Sequence, residues 1–319
     1  MGAKIAFLFP GQGSQRVGMG ADLLSQAPDL FERYVRRADA VAGLPISRYC
    51  LEGPLDALTK TQVAQPALFA LSLALAEHAH RVGLQPDFVA GHSLGEYTAA
   101  VVAGALGADD GLRLVCARGR LMAEVQAERP GAMAAVVGLA ADRLRDLCAA
   151  AAAAGPVALA NVNAPAQITV SGAEASVERL AALAREAGAE RVVPLRVGAA
   201  FHSEFMRPVQ DRLDAMMGAI TWSEPRVPLA ANASGELLTT GGAIRRALVD
   251  QITRPVQWVA CVQRLLAAGC TTFVELGPGR VLSGLVRQIA SAAPAEAKTF
   301  ASESPARLGE LARSLRHEG

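Results

Sequence analysis

A serine between two glycines is the residue whose setting most strongly predicts chemistry in this chain. Residues 91–95 read Gly-His-Ser-Leu-Gly, directly after the strand-like run 87–90. This G-x-S-x-G order places Ser93 on a sharp turn between a buried strand and a helix, with its hydroxyl near the helix N-terminal amides. The glycines are required because the tight turn leaves no room for a Cβ. We therefore predict that Ser93 is a nucleophile rather than a serine that only caps the helix.

A serine hydroxyl needs a base to take its proton, and His202 is the histidine best placed to act as one. It lies directly before a predicted amphipathic helix. The N-terminus of a helix dipole disfavours an added positive charge, which keeps the imidazole neutral; the alternative is a histidine that only caps the helix. His92 adjoins the serine, but neighbours on a tight turn point apart. The remaining histidines, for which we expect solvated positions, are His78, His80 and His317.

Backbone amides near the serine could stabilise the negative charge that develops on an acyl oxygen. The residue after the serine of such a turn usually supplies one amide, here Leu94. The loop 10–15 (Pro-Gly-Gln-Gly-Ser-Gln) follows the first predicted strand and is placed to supply the second. It matches neither G-x-x-x-x-G-K-[ST] nor G-x-G-x-x-G, so we do not expect it to bind a nucleotide phosphate.

Arg118 is the charged residue whose position is least expected. On the predicted helix 109–127 it lies on the apolar face, one turn from both Leu114 and Met122. Burying an arginine without an anionic partner is costly. The partner is either an acidic residue of the chain or a substrate carboxylate, which a guanidinium can hold through two parallel hydrogen bonds.

The alternation of strand-like and helical runs predicts an α/β fold with a mainly parallel sheet. Between 129 and 198 the order becomes strand–helix–strand–strand–helix–strand, that of a ferredoxin-like unit. The six predicted elements there are 132–137, 140–154, 157–162, 167–171, 174–187 and 191–195. We therefore predict a small domain (129–198) inserted in a discontinuous large domain (1–128 and 199–319), with the functional cleft at their seam.

Length, charge and composition narrow the class of function. The 319 residues suffice for one large domain and a smaller one, and 51% of them are apolar. The net charge is +1 with scattered basic residues, so we expect no nucleic-acid binding. No apolar run reaches the roughly 20 residues that span a bilayer, so we expect no membrane association. The five cysteines lack a C-x-x-C motif, which indicates reduced core residues in a cytoplasmic protein.

Several motifs of this chain, taken together and in order, resemble those of malonyl-CoA:acyl carrier protein transacylases. Among them are Phe-Pro-Gly-Gln-Gly-Ser-Gln (9–15), Thr-Gln-Val-Ala-Gln-Pro-Ala (61–67), Gly-His-Ser-Leu-Gly-Glu (91–96), Ala-Arg-Gly-Arg-Leu-Met (117–122), Asn-Val-Asn-Ala-Pro (161–165), Pro-Val-Gln-Trp (255–258) and Glu-Leu-Gly-Pro-Gly (275–279). The resemblance runs from residue 4 to about residue 290, which is more specific than any single motif. It implies an α/β-hydrolase-like large subdomain with an inserted ferredoxin-like small one, in agreement with the pattern of elements.

The resemblance also implies a role for each residue of the predicted site. Ser93 resembles the acylated serine, His202 its base, Gln12 and Leu94 the oxyanion-hole amides, Arg118 the ligand of the malonyl carboxylate, and Gln251 the residue whose carbonyl orients the base. Such a carbonyl would explain why no acid for a Ser-His-Asp triad is evident. The implied mechanism is ping-pong: malonyl passes from coenzyme A to the serine and then to the phosphopantetheine thiol of an acyl carrier protein. It requires no cofactor and no metal, and we expect a monomer.

Phe201 and Met122 are the predicted selectivity residues. The sequence Ala-Ala-Phe-His at 199–202 resembles the Ala-Phe-His form of malonyl-selecting polyketide acyltransferases. A phenylalanine there would fill the volume that an α-methyl group needs, although one methyl contributes only about 1–3 kcal/mol of discrimination. Since neither a ketosynthase nor a carrier domain accompanies the motifs, the chain is most similar to a discrete acyltransferase that acts in trans, in polyketide or fatty-acid biosynthesis.

Three alternatives stay open. A hydrolase on the same scaffold would release acyl groups to water, but such relatives typically lack the arginine found here at position 118. A malonyl-transfer subunit of a malonate decarboxylase would use the same residues. A docking subunit that has lost catalysis is disfavoured because Ser93, His202 and Arg118 are all present.

Overall fold

The structure, a computed structural model, describes residues 4–195, 197–293 and 295–317. The predicted domain ranges therefore extend outside the described residues at 1–3, 196, 294 and 318–319. Across the described ranges the strands are β1 (Lys4–Phe9), β2 (Phe88–Gly91), β3 (Ala132–Val137), β4 (Val157–Ala164), β5 (Gln167–Gly172), β6 (Arg191–Pro194), β7 (Leu229–Ala230), β8 (Leu237–Leu238), β9 (Cys270–Leu276) and β10 (Lys298–Ser302).

Helices connect these strands and cover both faces of the larger sheet. They are α1 (Ala21–Gln26), α2 (Pro28–Leu30), α3 (Arg37–Ala42), α4 (Ile46–Glu52), α5 (Leu55–Thr59), α6 (Thr61–Arg81), α7 (Gly95–Val102), α8 (Ala108–Glu128), α9 (Ala141–Ala151), α10 (Glu174–Glu186), α11 (Arg207–Gly218), α12 (Gly241–Asp250), α13 (Trp258–Ala267), α14 (Val281–Ser291) and α15 (Pro305–His317). A π-helical segment, Phe31–Arg36, joins α2 to α3, and a 3-10 helix, Glu204–Met206, precedes α11. Within the described ranges, no helix combines the length and apolar character needed to cross a membrane.

The larger sheet has six strands in the order β10-β9-β1-β2-β7-β8, and every neighbouring pair is parallel except β7 and β8. The strand β1 is buried on both faces, as expected for the centre of a parallel sheet. Phe7 and Phe9 pack into the core on one side, whereas Ala6 and Leu8 pack into the core on the other. The strands β1 and β2 end side by side, so the loops that follow them leave the same edge of the sheet.

The smaller sheet is antiparallel, has the order β4-β5-β3-β6 and carries its own apolar core with α9 and α10. This is the strand–helix–strand–strand–helix–strand arrangement expected for a ferredoxin-like unit. The smaller sheet is joined to the rest of the fold by the segment just before α13: Val162 of β4 donates to the carbonyl of Val256, and Val256 donates to that of Ala160. The α/β fold class with these two parts is therefore confirmed, while the domain boundaries at 128/129 and 198/199 stay predictions.

Two helices position the residues predicted to react. The helix α7 follows the serine turn but ends at Val102, earlier than the run of apolar residues suggests, because Gly104 adopts a positive φ of 85°. The helix α8 has the predicted amphipathic pattern: Leu114, Arg118 and Met122 are buried, whereas Arg113 and Arg120 are exposed.

Candidate active site

The turn that carries Ser93 is strained and closely packed. Ser93 has a φ of 52°, a conformation that non-glycine residues rarely adopt. A Cβ on Gly91 would lie 1.9 Å from the backbone of Gly95, and a Cβ on Gly95 would lie 2.0 Å from the carbonyl oxygen of Phe9. Only glycine fits at either position, which is the physical basis of the G-x-S-x-G pattern.

Ser93 and His202 come together from segments 109 positions apart. The Ser93 Oγ lies 2.8 Å from Nε2 of His202, and Nδ1 of His202 lies 2.7 Å from the carbonyl oxygen of Gln251. A carbonyl only accepts, so Nδ1 carries the proton and Nε2 offers its lone pair to the serine hydroxyl. His202 itself has a φ of 56°, which turns its ring toward the serine turn.

Burial keeps the His202 imidazole neutral. Its pKa is lowered to about 3, mainly because the buried ring is desolvated and then because the positive charge of Arg118 lies nearby. The sequence-based expectation of a neutral imidazole agrees with this. Desolvation is the largest cause and the charge of Arg118 the next, neither of which was part of the sequence-based expectation.

Arg118 is buried beside the serine, and its exposed fraction is only 1%. Its Nη1 donates to Gln65 Oε1 at 2.8 Å, and its Nη2 donates to Ser93 Oγ at 3.0 Å and to Gln251 Oε1 at 3.1 Å. These partners are all neutral, so the acidic partner within the chain that was one of the two alternatives is not found among the described residues. Nε has no hydrogen-bond partner within the described part of the chain.

Asn232 and Gln251 hold the backbone of the serine turn from two sides. Asn232 accepts from the Ser93 N–H at 2.7 Å and donates to the Gly91 carbonyl at 2.7 Å. The Gln251 side chain donates to the Ser93 carbonyl at 2.9 Å. Sequence analysis missed Asn232 and Gln65. The available signal for Asn232 is its position two residues after the buried strand β7, at the sheet edge that carries the serine.

A cavity of about 130 Å³ opens at Ser93. Six of the eight predicted site residues line it. Of the other two, Leu94 directly follows Ser93 in the chain, and Gln251 contacts Ser93 through its side chain. The lining residues are Gln12, Gln65, His92, Ser93, Arg118, Met122, Met133, Asn161, Leu195, Val197, Phe201 and His202. The predicted selectivity residues Phe201 and Met122 thus share the cavity with the serine.

A second, wider cavity of about 690 Å³ shares Gln12 and Val197 with the first and is lined by Lys60, Thr61 and Gln126 among others. A cavity of about 1000 Å³ lies elsewhere, beside α3 and the start of α8. None of the predicted site residues lines that larger cavity, and the Arg37–Asp109 ion pair on its wall is solvent-exposed. The small cavity at Ser93 is therefore the candidate active site.

The loop after β1 lies against the serine turn: a Cβ on Gly11 would be 2.5 Å from the carbonyl oxygen of His92. The backbone N–H groups of Gln12 and Leu94 take part in none of the hydrogen bonds found among the described residues, although the Gln12 side chain donates to Thr61 Oγ1 at 3.3 Å. Both therefore remain able to donate to a bound acyl oxygen.

The remaining histidines have other surroundings. His92 Nε2 lies 2.8 Å from Asn163 Oδ1, so its ring points away from the serine hydroxyl, although it lines the cavity. His78 and His80 are half-buried rather than solvated, and burial lowers the pKa of both. The side chain of His317 lies outside the described part of the chain.

Comparison with known proteins agrees with this geometry. The family model of the acyl transferase domain matches residues 6–306. This chain belongs to the acyl transferase family. The acyltransferase is 41% identical over 317 residues to the malonyl CoA-acyl carrier protein transacylase of Bacillus subtilis (strain 168), covering 99% of this chain and 98% of that protein.

Two further similarities bear on the pathway and the partner. The acyltransferase is 38% identical to the polyketide biosynthesis malonyl CoA-acyl carrier protein transacylase PksC of Bacillus subtilis, covering 89% of this chain and 96% of that protein. It also resembles a malonyl-transacylase whose structure was solved with a type II polyketide synthase acyl-carrier protein. That match has a TM-score of 0.92 at 35% identity and covers 98% of this chain and 100% of the other.

Proposed function

We propose that this acyltransferase moves a malonyl group from coenzyme A to the phosphopantetheine thiol of an acyl carrier protein, through an ester on Ser93. The observation that carries the proposal is the position of Arg118. Its Nη2 lies 3.0 Å from the Ser93 hydroxyl, and its partners in the chain are neutral. No carboxylate contacts the Arg118 guanidinium directly; the nearest, Glu96, is linked to it only through Gln251. A buried cation with neutral direct partners favours an anionic ligand, and in malonyl a single methylene separates the carboxylate from the thioester carbonyl.

In the first half-reaction, His202 Nε2 takes the proton of the Ser93 hydroxyl as Oγ attacks the thioester carbonyl. The amides of Gln12 and Leu94 stabilise the negative charge on the carbonyl oxygen. The C–S bond then breaks, and the imidazolium returns its proton to the departing thiolate of coenzyme A. The product is malonyl-Ser93 with a neutral His202.

In the second half-reaction, His202 takes the proton of the phosphopantetheine thiol, and the thiolate attacks the ester carbonyl. The C–O bond to Ser93 breaks, and the imidazolium protonates Oγ. The chain supplies every group that these steps require, so we propose that no cofactor or metal takes part. We also propose a monomer, because one chain provides all of these groups.

Binding of malonyl also strengthens the base. The charge of Arg118 is one cause of the low pKa of His202. A malonyl carboxylate bound to Arg118 offsets that charge, so the pKa of His202 rises when the correct acyl group is in place. An uncharged acyl group leaves the base weak, which favours malonyl beyond simple affinity.

The wide cavity beside Gln12 is the proposed route of the thioester arm. It joins the small cavity at Gln12 and Val197, so the arm of coenzyme A or of the carrier protein would pass the proposed oxyanion amide as it enters. The relative solved with a carrier protein supports an acyl carrier protein as the acceptor. The 38% identity to the polyketide enzyme PksC and the 41% identity to the transacylase of the same bacterium support a role in polyketide or fatty-acid biosynthesis.

The first prediction tests this proposal in two stages. Incubation with malonyl-CoA alone should release one equivalent of free coenzyme A and leave one malonyl ester per chain, measured by intact-protein mass spectrometry. Adding phosphopantetheinylated carrier protein should then transfer the malonyl group to that protein, while the same carrier without its arm should receive none. Release of malonate to water with no transfer to the loaded carrier would contradict the proposal and indicate a hydrolase.

The second prediction concerns Phe201, which lines the cavity beside the base. We expect malonyl-CoA to be preferred over methylmalonyl-CoA by about 10- to 200-fold in kcat/KM, because one methyl group has to be accommodated against this side chain. The variant Phe201→Ser should narrow the ratio and lower malonyl turnover. Leu195 also lines the cavity, and Leu195→Ala serves as the control for a general gain of space. A wild-type preference for methylmalonyl-CoA would refute the steric role of Phe201.

A further inference from the structure

A glutamate that the proposed mechanism does not use lies beneath the active site. Glu96 is in the first turn of α7, three residues after Ser93, and is fully buried. Its Oε2 accepts from the Gln251 side-chain amide at 2.7 Å, and its Oε1 accepts from the Asn232 backbone N–H at 2.9 Å. A fully buried carboxyl group is costly, so its position calls for a function.

The two partners of Glu96 are the two residues that hold the serine turn. The side chain of Asn232 bonds the Gly91 carbonyl and the Ser93 amide, and that of Gln251 bonds the Ser93 carbonyl. The peptide carbonyl of Gln251 also accepts from His202 Nδ1. The Glu96 carboxylate is therefore linked through one intervening residue, Asn232 or Gln251, to the strained Ser93 turn. Through Gln251 it is also linked to the peptide that orients His202.

We propose that Glu96 is a positioning residue whose buried carboxylate, through Gln251 and Asn232, fixes the Ser93 turn and the carbonyl that orients His202. The inference rests on the proposed function, since it assigns a role within the same reaction. Glu96 does not contact the reacting atoms, and it differs from the aspartate of a Ser-His-Asp triad because a peptide separates it from the base.

The hydrogen-bond pattern requires an ionised carboxylate rather than a neutral group. Both partners of Glu96 present N–H donors, so both of its oxygens must accept. In Glu96→Gln, the new NH₂ group faces either the Gln251 amide or the Asn232 N–H, donor against donor. Rotating the Gln251 amide does not help, because its NH₂ would then face the Nη2 of Arg118 and its donation to Ser93 would be lost.

Ionisation of Glu96 should make the acylation rate depend on pH, which a merely structural role of this residue would not do. Burial raises its pKa to about 7, opposed by the bonds from Asn232 and Gln251 and by the charge of Arg118. The acylation rate should therefore fall as the pH drops through about 7, because the protonated carboxyl group places an O–H where an acceptor is needed. The facing groups do not titrate between pH 5 and pH 9 in the free enzyme. Arg118 stays charged, and burial raises the pKa of the Cys261 thiol far above its usual value. Burial raises the pKa of Tyr97 to about 12, and the pKa of His202 is about 3.

The third prediction is that Glu96→Gln lowers kcat for acylation by about ten- to a hundredfold, the usual effect of one buried unsatisfied donor, with a smaller change in KM. Rates are measured by stopped flow from pH 5 to pH 9 with malonyl-pantetheine, which lacks the ionising phosphates of coenzyme A. The pH profile is taken from kcat/KM for acylation, because this quantity reports the groups of the free enzyme, in which the pKa of His202 is about 3. Wild type should lose activity below about pH 7, whereas the variant should be slow and independent of pH in this range.

Two further variants make the test specific. Gln251→Met removes the side-chain link but keeps the peptide carbonyl, so the double variant with Glu96→Gln should be no slower than the slower single variant. Glu275 is as buried as Glu96 and accepts hydrogen bonds from the backbone N–H groups of Leu282 and Ser283. The variant Glu275→Gln therefore controls for loss of a buried carboxylate elsewhere in the fold. It should lower the melting temperature while leaving the pH profile unchanged.

The outcomes separate the two proposals. If wild type forms no malonyl ester, the proposed function fails. If wild type is acylated and Glu96→Gln keeps its rate and pH profile, the role of Glu96 is refuted. Should Glu96→Gln not fold, the pH profile of Gln251→Met decides the question, because this variant also loses direct bonds to Ser93 and Arg118. A kcat equal to that of wild type, or an undiminished fall in rate below about pH 7, would overturn the proposal. A loss in kcat together with a flattened pH profile would support it.

Discussion

Replacing Ser93 with alanine is expected to abolish formation of the malonyl ester, the fourth prediction and the one with the largest effect. The variant lacks the oxygen that lies 2.8 Å from His202 Nε2, so neither half-reaction has a nucleophile. Turnover should fall by more than about a thousandfold, as in other enzymes that lose a nucleophilic serine. Intact-protein mass spectrometry after exposure to malonyl-CoA measures the ester, and peptide mapping locates it.

A matched control separates loss of the nucleophile from loss of a buried serine. Ser171 is fully buried in β5 of the smaller sheet, and Ser171→Ala should be acylated like wild type. Full acylation of Ser93→Ala would mean that another residue carries the acyl group. Ser93→Ala removes one hydrogen bond from Arg118 but leaves the guanidinium that binds the malonyl carboxylate in place. The variant should therefore retain malonyl-CoA binding, which calorimetry detects independently of turnover.

The parts of this site that could be predicted from the sequence are those fixed by local geometry. The glycines at 91 and 95 predict the turn, because a Cβ at either position would overlap the backbone of a neighbouring segment. The burial of Arg118 is evident from its place among apolar residues of α8. The elements between 132 and 195 were predicted to within a few residues, because breakers such as Pro130-Gly131 and Gly155-Pro156 separate short apolar runs from amphipathic helices.

The groups that could not be predicted are backbone atoms and side chains from distant segments. The carbonyl that bonds His202 belongs to a peptide, and any residue type at position 251 would supply it, so only the family resemblance pointed there. The bond from the Gln251 side chain to Ser93 joins residues 158 positions apart. That Arg118 lacks a counter-ion in direct contact could not be predicted either, because 30 acidic residues offered possible partners. Only the fold shows that none of the described carboxylates contacts it and that Glu96 reaches it only through Gln251.

The fifth prediction follows from that missing counter-ion. Arg118→Ala should lower kcat/KM for malonyl transfer by about 30- to 3000-fold, which corresponds to about 2–5 kcal/mol for one partner of a buried charged pair. Transfer of an acetyl group should change far less, because acetyl has no carboxylate to bind and the pKa of His202 rises once the nearby cation is removed. Parallel kcat/KM values for malonyl-CoA and acetyl-CoA measure the difference.

The control lies on the same helix. Arg120 is exposed and paired with Glu124, so Arg120→Ala should leave both substrates unaffected. Arg118→Ala also frees Gln65 and Gln251 from their hydrogen bonds, so some loss of stability is expected and must be measured separately by thermal unfolding. The decisive quantity is therefore the ratio of malonyl to acetyl transfer, because a loosened site slows both substrates alike. An equal loss for both would show that Arg118 only supports the fold of the site, and the binding of a malonyl carboxylate would then have to be assigned to another group.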